Sequence, residues 1–202
     1  MACNLTIGRL VDCKDQIGGL KKIFFVNTYS ADIRAGATFS DNVMTTAGFV
    51  DWDIYGGTYV NVFQYDLRPN LSSMTVNINS DPATGTTWFE QTLSVTLQKL
   101  TAAQSNEIKL ISYNRSQVFV LDANDNVFLL GMNDGCDISG GTAVTGAAKG
   151  DMSGYTLELR AEEKDPLIWL NATAGAGSGG TPTAKYPFDG LSDEAALTIT
   201  TG

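Results

Sequence analysis

Apolar and polar residues change places at every step in three separate stretches of this chain. Leu93, Val95 and Leu97 alternate with Thr92, Ser94, Thr96 and Gln98; Met74, Val76 and Ile78 alternate with Thr75, Asn77 and Asn79; Tyr155, Leu157 and Leu159 alternate with Thr156, Glu158 and Arg160. A period of two places all apolar side chains on one face of an extended strand, whereas a helix would scatter them around its axis. Each stretch is therefore a half-buried strand, and a chain built from such strands must fold in layers with an apolar interior. With 202 residues the chain is long enough to bury one core and short for two.

Two hairpins extend the pattern. From Phe49 to Tyr65, Gly56-Gly57 separates two aromatic and β-branched arms, and only glycine accepts the positive φ angles of a two-residue turn cheaply. Arg115 to Leu121 and Val127 to Met132 flank Asp122-Ala123-Asn124-Asp125-Asn126, a connection whose side chains can bond their own backbone. One segment is helical: Thr101-Ala-Ala-Gln104 is a capping box by type, and Ile108 and Ile111 follow at helical spacing, so a helix of about three turns is expected near 101–113. These elements predict a mainly β (α+β) fold, an antiparallel β-sandwich or barrel with one flanking α-helix.

Glycine divides the rest of the chain. Residues 131–154, GMNDGCDISGGTAVTGAAKGDMSG, are too small to build a dense core and read as a long loop ordered by a partner. Residues 171–185 are rich in Gly, Ala, Ser and Thr and read as a linker. The expected organisation is a β-sandwich domain over 1–170, that linker, and a C-terminal docking arm over 186–202 with Tyr186, Pro187, Phe188 and Leu191 as its apolar set.

Composition then restricts the chemistry. The chain has no histidine, which removes the Ser-His-Asp and Cys-His constellations, His-containing zinc sites and the commonest neutral-pH base. Asp and Glu number 22 against 13 Lys and Arg, a net charge of -9, which disfavours tight binding to a phosphate backbone. Cys3, Cys13 and Cys136 lack C-x-x-C spacing and are read as reduced, small apolar fillers. The N-terminus carries Arg9, Asp12, Lys14 and Asp15 where a secretory signal needs an apolar run, and no apolar stretch approaches the roughly 20 residues that span a bilayer. No membrane partner is expected, and synthesis is assigned to the cytoplasm.

Asp51 and Asp53 share a face of a predicted strand, with Trp52 and Ile54 opposite, and read as a solvated pair rather than a catalytic one. Glu162, Glu163 and Asp165 read as a charged strand end. The series from Asp122 to Asn126 begins like a calcium loop, but Val127 stands where such a loop needs glycine and Asn133 where it needs a bidentate carboxylate. No glycine-rich phosphate motif occurs in a strand-to-helix context, and no serine sits in a nucleophile elbow. Lys21-Lys22 read as the solvated entry to the buried strand Ile23-Phe24-Phe25-Val26. No catalytic, cofactor or metal residue is assigned. The uncharged Thr, Ser and Asn faces are more informative, because such a surface meets another subunit without large desolvation costs.

The order of elements from Gly85 to Leu170 resembles tailed-bacteriophage virion proteins of the tail-tube type. The order runs through TTWFEQTLSVTLQKL, the capped TAAQSNEIKLISYN, the hairpin RSQVFVLDANDNVFLLG, the glycine-rich ISGGTAVTGAAKGDMSG and the strand YTLELRAEEKDPLIWL. Nearly the whole chain, including CKDQIGGLKKIFFVN, is similar to uncharacterised structural proteins of phages infecting Bacteroidetes-like hosts. The resemblance implies a non-enzymatic virion protein of the tail, made in the host cytoplasm and assembled as a homo-oligomer in stacked rings, hexameric or dodecameric. Inner strands would join into a barrel through which DNA passes without adhering, and loops or arms would reach other tail or connector proteins. Gly56, Gly57, Gly140, Gly141, Tyr186 and Phe188 are the candidate inter-subunit contacts, and the strands 49–65 and 88–97 are assigned to the inner sheet. The channel lining should then carry more Asp and Glu than Lys and Arg. The alternatives are a head-tail connector, tail terminator or capsid decoration protein, and, in another class, a carbohydrate- or receptor-binding module using Trp52, Tyr55, Tyr59 and Trp88.

Overall fold

A computed structural model describes residues 9, 14–27, 38–40, 43–46, 60–170, 186–188 and 197–201. The strands are β1 (Leu20–Asn27), β2 (Thr38–Ser40), β3 (Val43–Thr46), β4 (Val60–Asp66), β5 (Ser73–Asp81), β6 (Thr86–Gln98), β7 (Ser116–Asp122), β8 (Val127–Leu130), β9 (Asp137–Val144), β10 (Gly154–Glu163), β11 (Ile168–Leu170) and β12 (Leu197–Thr201). Among the described residues there is one helix, α1 (Ala102–Tyr113), which joins β6 to β7. The strands form an eight-stranded sheet, in the order β12-β4-β1-β7-β8-β11-β3-β2, and a four-stranded sheet, in the order β5-β6-β10-β9. The expected mainly β sandwich with a flanking helix is the fold observed.

The large sheet is apolar on both faces because its central strands are continuous apolar runs. In β1, Ile23, Phe24, Phe25 and Val26 are all buried; in β7 and β8, so are Val118 to Leu121 and Val127 to Leu130. Register sorts them by face, with Phe24 opposite Phe119 and Phe25 opposite Val118. Ile23, Phe25, Val118, Val120, Phe128 and Leu130 meet Leu93, Val95, Leu157 and Leu159 of the small sheet. On the far face Phe24, Val26, Phe119, Leu121, Val127 and Leu129 form a second core with Val62, Ile168, Leu170 and Phe188. Full burial of one such side chain contributes about 1.5–3 kcal/mol, so the two layers of apolar contact dominate stability.

The segment expected to be a docking arm packs here as well. Phe188 is fully buried and meets the rings of Phe24 and Phe119 edge-on, with centroids 5.2 Å away in both cases. Downstream, β12 adds a parallel strand to β4, with Ile199 half-buried against the same core.

Local capping explains where the elements begin. Thr101 is the N-cap of α1, and its hydroxyl accepts from the Gln104 N–H at 3.2 Å. Ile108 and Ile111 lean on the core shared by the sheets, as their spacing predicts, yet no residue of the helix is fully buried. Between β7 and β8 the Asp122 carboxylate accepts from the Asn124 and Asn126 N–H groups at 2.8 and 2.7 Å, closing the predicted turn. Asp125 takes the left-handed conformation there, with φ 65°.

Residues 131–154 are not one long loop. A tight turn at Gly131–Cys136 leads into β9, which pairs with β10 from Gly154↔Val144 to Arg160↔Asp137, and a second turn returns the chain to β10. Small side chains hid this strand because β9 receives its order from β10 and needs no apolar alternation of its own. Gly131 is required: its φ is 64°, and a Cβ would lie 2.6 Å from the Gly135 carbonyl carbon. Among the described residues no helix is long and apolar enough to cross a membrane.

Candidate functional site

The outward face of the four-stranded sheet collects polar side chains from all four strands. Register places Thr75 beside Thr92 and Arg160, Ser73 beside Ser94 and Glu158, and Thr96 beside Thr156 and Thr142. The opposite parity supplies Leu93, Val95, Leu157 and Leu159 to the core. Alternation along the sequence is thus the direct cause of this surface.

Charge on the face is lopsided. Asp81, Glu90, Asp137, Glu158 and Glu162 point outward by parity, against Arg160 within the strands and Arg115 at the end of the sheet. Arg160 bridges Glu90 at 2.8 Å and Glu162 at 2.9 Å, so it is shared between two carboxylates and leaves the face net acidic. A cleft of about 310 Å³ opens at the end of the sheet between Arg115, Asp137, Arg160 and Glu162. Arg115 faces Asp137 there, 3.1 Å from one carboxylate oxygen and 3.2 Å from the other. Both arginines in the cleft are engaged by carboxylates, which argues against a site for a phosphate.

Among the described residues neither margin of the sheet carries a further strand. β5 and β9 each keep one row of backbone groups without a strand partner among the described residues. All four strands alternate in direction, so β5 and β9 run opposite ways. Rotation of a copy about an axis along the strands would bring β9 against the β5 of the next copy in antiparallel sense. Gly140 and Gly141 lie on this margin in β9. A Cβ on Gly140 would meet open space, whereas one on Gly141 would come 2.9 Å from the Thr156 carbonyl oxygen. Ser139 forms a bulge in β9 and donates to the Glu158 carbonyl at 3.2 Å, the kind of irregularity that limits unselective edge pairing.

Other predicted residues are dispersed. Gly56, Gly57, Asp51, Trp52, Asp53, Ile54, Tyr55 and Tyr59 lie outside the described residues, as do Cys3, Cys13 and Leu191. Trp88 is half-buried on the outward face of β6. The segments 49–65 and 88–97, assigned to one inner sheet, fall apart: β4, with residues 60–65, is in the large sheet and β6 in the small one. Tyr186 reaches the β7–β8 turn, its hydroxyl 3.3 Å from the Asp125 carboxylate that also pairs with Lys21 at 2.6 Å. Phe188, being fully buried, presents no surface to a neighbour in this arrangement. Lys22 pairs with Asp66 at 3.5 Å, so both lysines at the entry to β1 meet carboxylates.

One functional-looking group belongs to the interior. Glu163 was grouped by sequence with a charged strand end, but it is 4% exposed and its carboxylate accepts from the Asn133 N–H at 2.9 Å, the Asn133 side-chain amide and the Asp134 N–H. Its inward parity, shared with Leu159 and Ala161, was the available signal. It ties β10 to the turn that launches β9. Nearby, burial raises the Cys136 thiol well above its ordinary value, with the charges of Glu163 and Asp137 adding to the effect. That thiol is a free, buried filler rather than a nucleophile. Among the described residues no cluster of carboxylates and thiols is arranged to hold a metal ion.

No protein-family model matches the chain, and no curated protein matches it. Among solved structures it is similar to a chain of the virion of native gene transfer agent (GTA) particle, at 7% identity and a TM-score of 0.32, over 50% of this chain and 82% of that one.

Proposed function

We propose that this chain is a structural subunit of a tailed-phage virion that closes into rings, hexameric or dodecameric, stacked as a tail tube or tail barrel. The acidic outward face of the four-stranded sheet lines the channel. The observation that carries this reading is that face: five carboxylates against two guanidiniums, Arg160 and Arg115, between two sheet margins of opposite direction. A channel lined with fixed negative charge repels the DNA backbone and releases no counterions to it, so DNA can pass without adhering. Contacts between copies would be heterologous, which is the condition for a closed ring. Exposed Thr, Ser and Gly on β5 and β9 make such a contact cheap in desolvation. The role is architectural, not enzymatic, and further partners are other tail or connector proteins.

Electron microscopy of the purified full chain over a range of concentrations tests the proposal. The expected result is closed rings or open-ended tubes with a central channel. A chain that stays monomeric at every concentration, or that forms only sheet-like aggregates without a channel, would overturn it.

A further inference from the structure

The helix leaves a gap where it crosses the large sheet. A groove of about 140 Å³ runs between α1 and the sheet, walled by Phe25, Phe63 and Tyr65 on one side and Leu110 and Ile111 on the other. Leu110 remains 53% exposed at its rim, so the helix rests on the sheet without filling the space beneath it. Ser116 also lines the groove. It is 2% exposed, and its hydroxyl finds no hydrogen-bond partner among the described residues. A buried hydroxyl without a partner is costly and marks a place where a polar atom from outside would be accepted.

The rim also has a charge. Glu107 is the only carboxylate on the lining, and it is close enough to the half-buried Tyr65 phenol to reinforce the upward shift that burial imposes on it. No cation lines the groove, and the whole chain is net -9. Its volume is close to the roughly 150 Å³ of an apolar cavity that takes up benzene.

We propose that the groove is a docking site for a single aromatic side chain presented by a basic segment of a different protein. The ring would enter between Phe63 and Ile111, a backbone or side-chain polar atom beside it would meet the Ser116 hydroxyl, and a flanking Lys or Arg would face Glu107. The groove shares no lining residue with the cleft at the end of the acidic face, and docking there does not depend on ring formation.

The test is titration of the full chain with three capped tripeptide amides, Lys-Phe-Lys, Glu-Phe-Glu and Lys-Ala-Lys, followed by NMR shifts of Phe63, Ile111 and Ser116. Lys-Phe-Lys should produce saturable shifts at these residues, Lys-Ala-Lys none, and Glu-Phe-Glu should bind roughly threefold more weakly, the scale of one exposed charge pair. Glu107→Gln should erase the preference for the basic peptide. Leu110→Gln, at an exposed helical position that leaves folding intact, should weaken Lys-Phe-Lys several-fold. Absence of saturable shifts, shifts confined to other surfaces, or equal binding of the acidic and basic peptides would each overturn the proposal. So would shifts of the groove residues that follow protein concentration alone, which would make a second copy of this chain the occupant. Because the readout is local, peptide binding without rings would sink only the assembly proposal, and rings without binding only this one.

Discussion

The two sheets of this protein bury their side chains in different ways. The large sheet hides both faces, between the small sheet and a second core that includes Phe188, and its central strands β1, β7 and β8 carry unbroken apolar runs. The small sheet hides one face, and its strands β5, β6 and β10 alternate apolar and polar residues. The large sheet therefore holds the molecule together, while the small sheet supplies a surface. Its polar face and two margins are free of that stabilising duty, and the proposed assembly draws on them.

Truncation at the centre of the large sheet is the strongest way to sharpen the contrast. Phe119→Ala removes a ring packed on Phe24 and Phe188 and should cost about 3–5 kcal/mol in denaturant unfolding, whereas Thr92→Ala on the outward face of β6 should stay within about 0.5 kcal/mol. Equal losses at the two positions would break the comparison. Glu163→Ala probes the exception, a charged residue on the buried face of the small sheet. Two backbone N–H groups, of Asn133 and Asp134, would lose their acceptor, and unfolding should show a loss of about 1–3 kcal/mol.

Charge reversal on the outward face should leave folding almost unchanged and alter function. With Glu158→Lys, Glu162→Lys and Glu90→Gln the face becomes net basic, and assembled protein should retain duplex DNA at low salt and release it as salt rises, measured by fluorescence anisotropy. Retention of DNA by the unaltered protein under the same conditions would contradict an acidic channel.

The smallest effect concerns the turns of the small sheet. Asp81 is held below the usual carboxylate range by the Ala83 N–H and then by the Thr84 side chain, and Asp151 by the Ala148 and then the Ala147 N–H. For a lowered pKa the stabilisation is complete above the unfolded carboxylate value and is lost as pH falls through the folded one. Protection of the Ala83 and Ala148 amides, measured as exchange relative to the intrinsic rate at each pH, should therefore be lost in acid before that of Val120 in the large sheet.

Legibility in the sequence followed the same division. β5, β6 and β10 were readable because one wet face and one dry face impose alternation, and α1 was readable because Thr101 caps it. The acidic face could be sorted from parity once the strands were placed, although the inward parity of Glu163 was missed. β9 escaped notice, since Gly140, Gly141 and Ala143 have too little side chain to display a period and become a strand only through hydrogen bonds to β10. Likewise, nothing local in Tyr186-Pro187-Phe188 reveals that Phe188 enters the chain's own core.

By itself, the order of apolar and polar residues determined that this protein is a layered β structure with one capped helix, no histidine chemistry and an acidic surplus. Those properties are local, set by strand periodicity, by capping and by composition. Only the tertiary structure decided that β9 borders the small sheet, that Glu163 binds the turn before β9 and that carboxylates from separate strands converge on one surface. These depend on contacts between residues far apart in the chain, such as Phe24 with Phe188 and Asn133 with Glu163, whose energies come from packing and desolvation in the assembled fold.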